Sequence, residues 1–392
     1  GGISMSGFAE LLHTMGFTIT GSDRTASKIT KHLETLGIEV IYEQAAKNIT
    51  PNIDFVVYTA AISEDNPEFV RAKELGLPMM ERASMVGQVM KNYSTAIAVS
   101  GTHGKTSTTS ITSHILMEAG LDPTISVGGI LPAIGGNIRV GNSEIFVTEA
   151  CEYTNSFLSF FPKISVILNI DEDHLDFFKD LEDIRNSFHR FAKLLPKDGT
   201  LVINGDIDRL DEITGDLDCK IVTYGTNPSA TYHAANVTHD ELGEASFDLV
   251  KNGEFVDRIS LSVSGDHNVS NALAALAVAD LLDVNVSVAK KGLKEFHGTD
   301  RRFEYKGETN GVTIIDDYAH HPTEIAATLT AATHYPHREI WCIFQPHTYT
   351  RTKALFPEFV EALSHTDHVI MADIYAARET DTLGVSSKQI AD

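Results

Sequence analysis

At 392 residues, 42% hydrophobic and 22% charged, the chain has an ordinary globular composition and a length that calls for two or three cores rather than one. With 54 acidic against 31 basic residues the net charge is −23, which repels phosphate backbones and argues against broad nucleic-acid binding, though not against one nucleotide held in a local loop. Three scattered cysteines, Cys151, Cys219 and Cys342, fit a reducing compartment better than a disulfide framework, and no apolar run approaches the roughly 18–20 residues of a membrane span. No signal peptide is read, so a cytoplasmic protein without membrane partners is expected. Both ends, Gly1-Gly2-Ile3 and Ala391-Asp392, read as mid-element, which implies a slightly longer parent chain.

Three α/β blocks follow in order. In residues 1–91 a glycine-rich start leads into a helix from Phe8 to Met15, a strand Phe17–Thr20, a helix Lys28–Leu36, strands Glu39–Ile41 and Asp54–Tyr58, and a helix Pro67–Leu75. Strands alternating with helices predict a parallel, Rossmann-like sheet. Residues 92–298 open with strand Thr95–Ser100, a glycine turn and helix Thr106–Ala119, followed by strands Ile145–Thr148 and Ile164–Asn169. Alternation over Thr231–Val263 predicts an antiparallel insertion, and an Ala-rich helix runs from Asn268 to Leu282. Residues 299–392 repeat the rhythm: strand Val312–Ile315, helix Pro322–Thr333, strand Ile340–Phe344, helix Thr352–Leu363 and strand His368–Ala372. The fold class is therefore α/β in three domains, the outer two Rossmann-like around a central P-loop ATPase domain with a mainly parallel sheet.

The sharpest local signal is Gly101-Thr102-His103-Gly104-Lys105-Thr106-Ser107 between a strand and a helix. Glycines let backbone N–H groups wrap a phosphate, the helix N-terminus adds partial positive charge, Lys105 reaches terminal phosphates and the Thr106 hydroxyl suits Mg²⁺. Val99 stands where the strict P-loop pattern has its first glycine, so this is a shortened variant. Glu149 and Glu152 lie just past one strand, and Asp171, Glu172, Asp173, His174 and Asp176 past another, facing the phosphates if the sheet is open and parallel. Glu149 is the first choice as magnesium ligand. Asp171, Glu172 and Asp176 read equally well as a solvated turn. Asn268 and Asn271 share a helix face and suit either an adenine edge or a helix cap. Arg301 and Arg302 sit at the hinge into the third block, placed for a phosphoryl group or an inter-domain ion pair. Tyr318, His320 and His321, then His347, Tyr349 and Arg351, follow two successive strands. They suit capture of a small carboxylate-bearing molecule, or simply cap two helices. The adjacent His320-His321 pair lacks the spacing of a zinc site. Gly1-Gly2-Ile3-Ser4-Met5-Ser6-Gly7 with Asp23 forms a weak dinucleotide-type fingerprint, so Ser4, Met5, Ser6 and Asp23 are expected to hold a phosphate-bearing substrate.

Taken together these motifs resemble the Mur ligases of peptidoglycan synthesis over essentially the whole chain. The resemblance is carried by Ser-Gly-Thr-His-Gly-Lys-Thr-Ser, Glu-Ala-Cys-Glu-Tyr, Asp-His-Leu-Asp, Gly-Asp-His-Asn-Val-Ser-Asn-Ala and Arg-Arg-Phe-Glu. Asp-Asp-Tyr-Ala-His-His-Pro-Thr-Glu and Phe-Gln-Pro-His-Thr-Tyr-Thr-Arg-Thr add to it and point to the alanine-adding branch. It implies a UDP-substrate domain, an ATPase domain and an amino-acid domain, working as a monomer or weak homodimer. The implied substrates are UDP-N-acetylmuramate and L-alanine, with ATP and Mg²⁺, joined through an acyl phosphate. It further implies Lys105 and Thr106 on triphosphate and Mg²⁺, Glu149 and His174 as metal ligands, and Asn268 and Asn271 on adenine. Arg302 would meet the terminal phosphate, and Tyr318, His320, His347 and Arg351 would line the alanine site, with His320 or His347 accepting the amine proton. Thr348 stands where the family often has arginine, leaving the carboxylate clamp to Arg351, and Lys193 does not match the spacing of the carbamoylated lysine that some members use. A sibling or peptide-recycling ligase, a P-loop regulatory ATPase and, last, a nicotinamide-dependent oxidoreductase are the alternatives.

Overall fold

The computed structural model describes residues 2–59, 62–377, 379–381 and 383–392. The chain opens directly into helix α1 (Ile3–Thr14), followed by strand β1 (Thr20–Ser22), α2 (Lys28–Thr35), β2 (Glu39–Ile41), β3 (Val56–Tyr58), α3 (Pro67–Glu74), β4 (Met79–Glu81) and α4 (Arg82–Met90). Gly2, at φ 86°, caps α1 at once, so Ser4–Ser6 belong to its first turn instead of a loop before a helix at Phe8. Gly16, at φ 94°, then turns the chain, and β1 begins three residues later than expected. The strands form two parallel pairs, β1–β2 and β3–β4, in separate two-stranded sheets where one continuous sheet was expected.

The second block holds β5 (Thr95–Ser100), α5 (Lys105–Glu118), β6 (Thr124–Leu131), β7 (Gly136–Arg139), β8 (Ile145–Glu149), β9 (Ile164–Ile167), α6 (Leu181–Ala192), β10 (Thr200–Asn204), α7 (Asp211–Thr214) and β11 (Lys220–Gly225). Strands β12 (Tyr232–His239), β13 (Glu244–Lys251) and β14 (Glu254–Ser264) come next, then α8 (His267–Leu281) and α9 (Val286–Glu295). One ten-stranded sheet runs β14-β13-β12-β11-β10-β9-β5-β8-β6-β7, parallel from β12 through β6 and antiparallel at both margins. The insertion predicted from alternation is β12–β14, and β13 buries every second residue along most of its length. By contrast β5 and β9 are buried almost throughout, because helices cover both faces of the parallel part. One core cluster joins α5, α8 and α9 to the sheet through Ile97, Ile115, Leu273 and Leu293; the other face packs Phe146, Phe157, Phe188 and Met90.

In the third block come β15 (Glu304–Thr309), β16 (Val312–Asp316), α10 (Pro322–Thr333), β17 (Trp341–Phe344), α11 (Tyr349–Ala354), α12 (Phe356–Leu363), β18 (His368–Met371) and α13 (Ser387–Ala391). β15 and β16 pair antiparallel, a hairpin the βαβ reading did not foresee, and β17 and β18 pair parallel. The single helix expected over Thr352–Leu363 is two, broken at Leu355 just before Phe356-Pro357, since proline supplies no N–H and crowds the preceding turn. Among the described residues no helix is long and apolar enough to cross a membrane.

The first block is seated on the second partly through α4. A Cβ on Gly87 would lie 2.0 Å from the Ser159 carbonyl oxygen, so the close approach requires glycine. Gly87→Ala is expected to cost about 1–3 kcal/mol, read as a lower midpoint in thermal unfolding.

Candidate functional site

The order of the central sheet reverses around β5: the chain leaves it toward β6 and β8 on one side and later returns to β9 on the other. Ligands of open α/β sheets sit outside the carboxyl ends of strands at such a point. Three adjacent strand ends therefore converge here: β8 delivers Glu149 and Glu152, β5 delivers the Gly101–Gly104 loop, and β9 delivers Asn169 through His174.

The loop's shape is forced by crowding. Gly101 (φ 147°) and Gly104 (φ 83°) adopt angles that suit glycine, and a Cβ on them would meet Leu168 Cβ at 2.9 Å and Asn271 Oδ1 at 2.8 Å. Asn169 clips the loop from the other side: its Oδ1 accepts the His103 N–H at 2.7 Å and its Nδ2 donates to the His103 carbonyl at 3.0 Å. The Thr102 hydroxyl accepts the Asp171 N–H at 2.9 Å. Lys105, Thr106 and Ser107 follow as the first turn of α5, whose opening N–H groups have no partner within the helix. The strand, glycine turn and helix expected here from the sequence are all present.

Lys105 Nζ donates to the Thr102 carbonyl at 3.0 Å and to Glu152 Oε2 at 2.9 Å. Burial opposes its charge, yet the Glu152 carboxylate holds its pKa above the ordinary lysine value. Glu152 is only 2% exposed, and its other oxygen is 3.7 Å from His174 Nε2. His174 is held at φ 54°, a left-handed angle uncommon outside glycine, with its ring stacked on Tyr153 at 4.5 Å and its pKa lowered by burial. Glu149 accepts the Gly128 N–H at 2.5 Å. Among the described residues no three His, Cys, Asp or Glu side chains form a ready cage for a metal ion. Thr106 and Glu149 offer oxygen donors of the kind Mg²⁺ takes alongside phosphate oxygen and water, whereas His174 offers a nitrogen.

The third block closes over this loop. His103 lies 3.3 Å from Asp171 Oδ2 through Nε2 and 3.2 Å from Glu324 Oε1 of α10 through Nδ1. Burial works against its charge, but the two carboxylates raise its pKa from 6.5 to about 9. Asp173 and Arg351, both 9% exposed, form a second bridge at 2.9 Å, and Arg351 also donates to His347 Nδ1 at 3.1 Å. Burial alone would raise the pKa of Asp173, yet His174 and Arg351 hold it down at about 2. His321 caps α10 by accepting the Thr323 N–H, while its Nε2 lies 3.1 Å from the Glu172 carbonyl. Tyr318, His320 and His347 adjoin one another, with ring centroids 5.1 and 5.7 Å apart.

Several expectations change. Asn268 and Asn271 are buried and bonded internally: Asn271 accepts from Thr108 at 3.0 Å and donates to Asn268, which donates to Ser264 at 2.8 Å. In this structure these bonds tie α8 to α5 behind the loop, and both side chains are buried. Arg351 is engaged by Asp173, so no unengaged carboxylate clamp stands here. The Tyr349 N–H is taken by Glu379 at 2.6 Å. Arg302 lies over the Tyr318 ring, 5.7 Å from its centroid, at the hinge. Ser4, Met5 and Ser6 stand on α1, which packs on α2, β6 and β7, while Asp23 holds the Thr25 N–H beyond β1. Asn169 and Glu324 were given no role from sequence; Glu152 and Asp173 were read only as acidic residues after buried strands that face the phosphates, without the partners they have here.

A histidine whose folded pKa is raised stabilises fully below its unfolded value and loses that contribution as pH climbs through the folded one. Stability should therefore fall between about pH 6.5 and pH 9, by on the order of 2–3 kcal/mol. Thermal unfolding across that range checks it, with His103→Asn expected to flatten the slope.

Comparison with known proteins bears on this geometry. The Mur ligase family catalytic-domain model matches residues 1–94, the Mur ligase middle-domain model 99–279, and the Mur ligase glutamate-ligase-domain model 301–392. The chain is 58% identical to UDP-N-acetylmuramate–L-alanine ligase of Lachnospira eligens, covering all of this chain and 86% of that protein. It is 57% identical to the same-named ligase of Lachnoclostridium phytofermentans, again over the whole chain and 85% of that protein. Among solved structures, UDP-N-acetylmuramate-alanine ligase from Thermotoga maritima superposes with a TM-score of 0.83 at 31% identity, over 100% of this chain and 86% of that one.

Proposed function

The chain belongs to the Mur ligase family, and on that premise we propose that it joins L-alanine to the lactyl carboxylate of UDP-N-acetylmuramate at the expense of ATP, in peptidoglycan precursor synthesis in the cytoplasm. The observation that carries this reading is the apposition, across the Asp173–Arg351 bridge, of a phosphate loop and a cluster of Tyr318, His320 and His347. An acid and an amine can be joined there only if the acid is activated first.

A carboxylate is a poor electrophile; transfer of the ATP γ-phosphoryl group to it releases ADP and gives an acyl phosphate, from which the attacking amine displaces inorganic phosphate as the amide forms. Lys105 and the first N–H groups of α5 receive the charge of the phosphates. In that role Lys105 exchanges Glu152 for phosphate oxygen. Thr106, Glu149 and His174 are the residues to hold Mg²⁺, which when bound supplies further neutralisation of the phosphate oxygens. Ser4, Met5, Ser6 and Asp23 remain the proposed contacts of the sugar nucleotide, at the first turn of α1 and beyond β1. The contact between the blocks excludes water from the reactive acyl group.

The amine must attack as the free base. His320 Nδ1 is 2.8 Å from the Tyr318 carbonyl, so the ring donates there and Nε2 carries the lone pair. His347 Nδ1 already accepts from Arg351, which leaves its protonated nitrogen outward. Burial lowers the pKa of both, and of the two His320 is the proton acceptor in this reading.

Phosphate release is expected only when ATP, Mg²⁺, UDP-N-acetylmuramate and L-alanine are all present, and to drop about a hundredfold or more in Lys105→Ala. Release that ignores the sugar nucleotide defeats the reading, and a preference for another amino acid or a peptide reassigns it to a sibling ligase. For the base, the acidic limb of kcat at saturating alanine should lie below pH 6.5, where a lowered histidine pKa puts it. That limb should vanish in His320→Ala and survive in His347→Ala; the opposite pattern moves the proton to His347.

A further inference from the structure

One buried carboxylate has no part in the chemistry above. Glu324 lies in the first turn of α10, on the third block, yet only 16% of its side chain is exposed and it faces the phosphate loop of the second. Its two oxygens are divided between the blocks. Oε1 is 3.2 Å from His103 Nδ1, and Oε2 accepts the backbone N–H of His320 at 3.1 Å, with His320 Nδ1 a further 3.6 Å away. Reaching back to the His320 N–H is a normal capping contact for a glutamate in the first turn of a helix, but it leaves unexplained the other oxygen, which meets His103 of the second block. Nor is the contact a surface ion pair, since the His103 side chain is 11% exposed.

We infer that Glu324 is a positioning residue that couples the nucleotide loop to the amino-acid site, a step that rests on the ligase reading above. A carboxylate is rigid, so its oxygens move together. His103 is two residues from Lys105 and clipped to the same loop by Asn169. When that loop is set in its nucleotide-binding shape, His103 fixes one oxygen of Glu324. The other then fixes the His320 backbone, and with it the ring whose Nδ1 is tied to the Tyr318 carbonyl. Asp171 holds the second nitrogen of His103, so the imidazole is oriented from both sides. The alanine site is thus completed only in the arrangement that also seats the loop.

The test is steady-state kinetics of Glu324→Gln, His103→Asn and the double variant, each shown to be folded by its thermal transition. Removing a buried hydrogen bond to a charged group should raise the alanine KM about tenfold in each single variant. The KM for the sugar nucleotide should stay unchanged. The discriminating result is the effect of His103→Asn on alanine, since a residue acting on nucleotide alone would move only the ATP KM. If both residues work through one contact, the double variant is no worse than the poorer single one. An alanine KM unchanged in either single variant, or effects that multiply in the double, overturns the coupling. Should Glu324→Gln fail to fold, the alanine KM of His103→Asn decides alone. A folded wild type that makes no product overturns the ligase reading and the coupling together; an active wild type with unresponsive variants overturns the coupling only.

Discussion

Space behind the phosphate loop is the constraint on which the rest of this molecule depends. Gly101 backs onto Leu168 and Gly104 onto Asn271, each too close for a side chain, so the loop is pressed into its curve by the end of β9 and by α8. Asn169 and Thr102 then fix the curve with hydrogen bonds. The supporting residues come from segments far apart in the chain, and they meet only because β5 lies beside β9 and α5 packs on α8. The internal bonding of Asn268 and Asn271 belongs to the same constraint: both amides are buried where α8 packs against α5 beneath the loop.

Electrostatics does the remaining arranging. A chain with a net charge of −23 is strongly acidic, and three cationic side chains set into the site are each met by carboxylates. Lys105 rests on Glu152, Arg351 on Asp173, and His103 between Asp171 and Glu324. Such buried pairs contribute little net stability once the cost of removing charge from water is counted, but breaking one leaves an uncompensated charge and is costly. Two of the three join separate blocks. They therefore select a particular docking of the third block on the second more than they strengthen it. Left-handed backbone angles at His174 beside the loop and at Arg301 and Phe303 in the hinge are among several along the chain.

The three α/β blocks, the central parallel sheet and its antiparallel insertion were all legible from hydrophobic period, because period reports which faces of an element are buried. So was the phosphate loop, whose glycines, Lys105 and Thr106 are contiguous. Less legible were the boundaries set by a single backbone angle. Gly2 starts α1 five residues early, and the Phe356-Pro357 step splits one helix into α11 and α12. The hairpin β15–β16 and the separation of the first block into two parallel pairs were also missed, since period reveals a strand but not its partner.

What the sequence alone determined, then, is the inventory: the family motifs, the glycine loop between β5 and α5, and the histidines and arginine at two strand ends of the third block. Only the tertiary structure decided how the polar atoms are shared out. It gave Glu152 to Lys105, Asp173 to Arg351, Glu324 to both His103 and His320, and closed the Asn268–Asn271 pair against solvent. The physical reason is range. Motifs record backbone geometry over a few residues, whereas the partner of a buried side chain is fixed by which strands are neighbours and which block lies on top; beside local bonds such as that of Glu324 to His320, the separation is 47 residues for Lys105 and Glu152, 178 for Asp173 and Arg351 and 221 for His103 and Glu324.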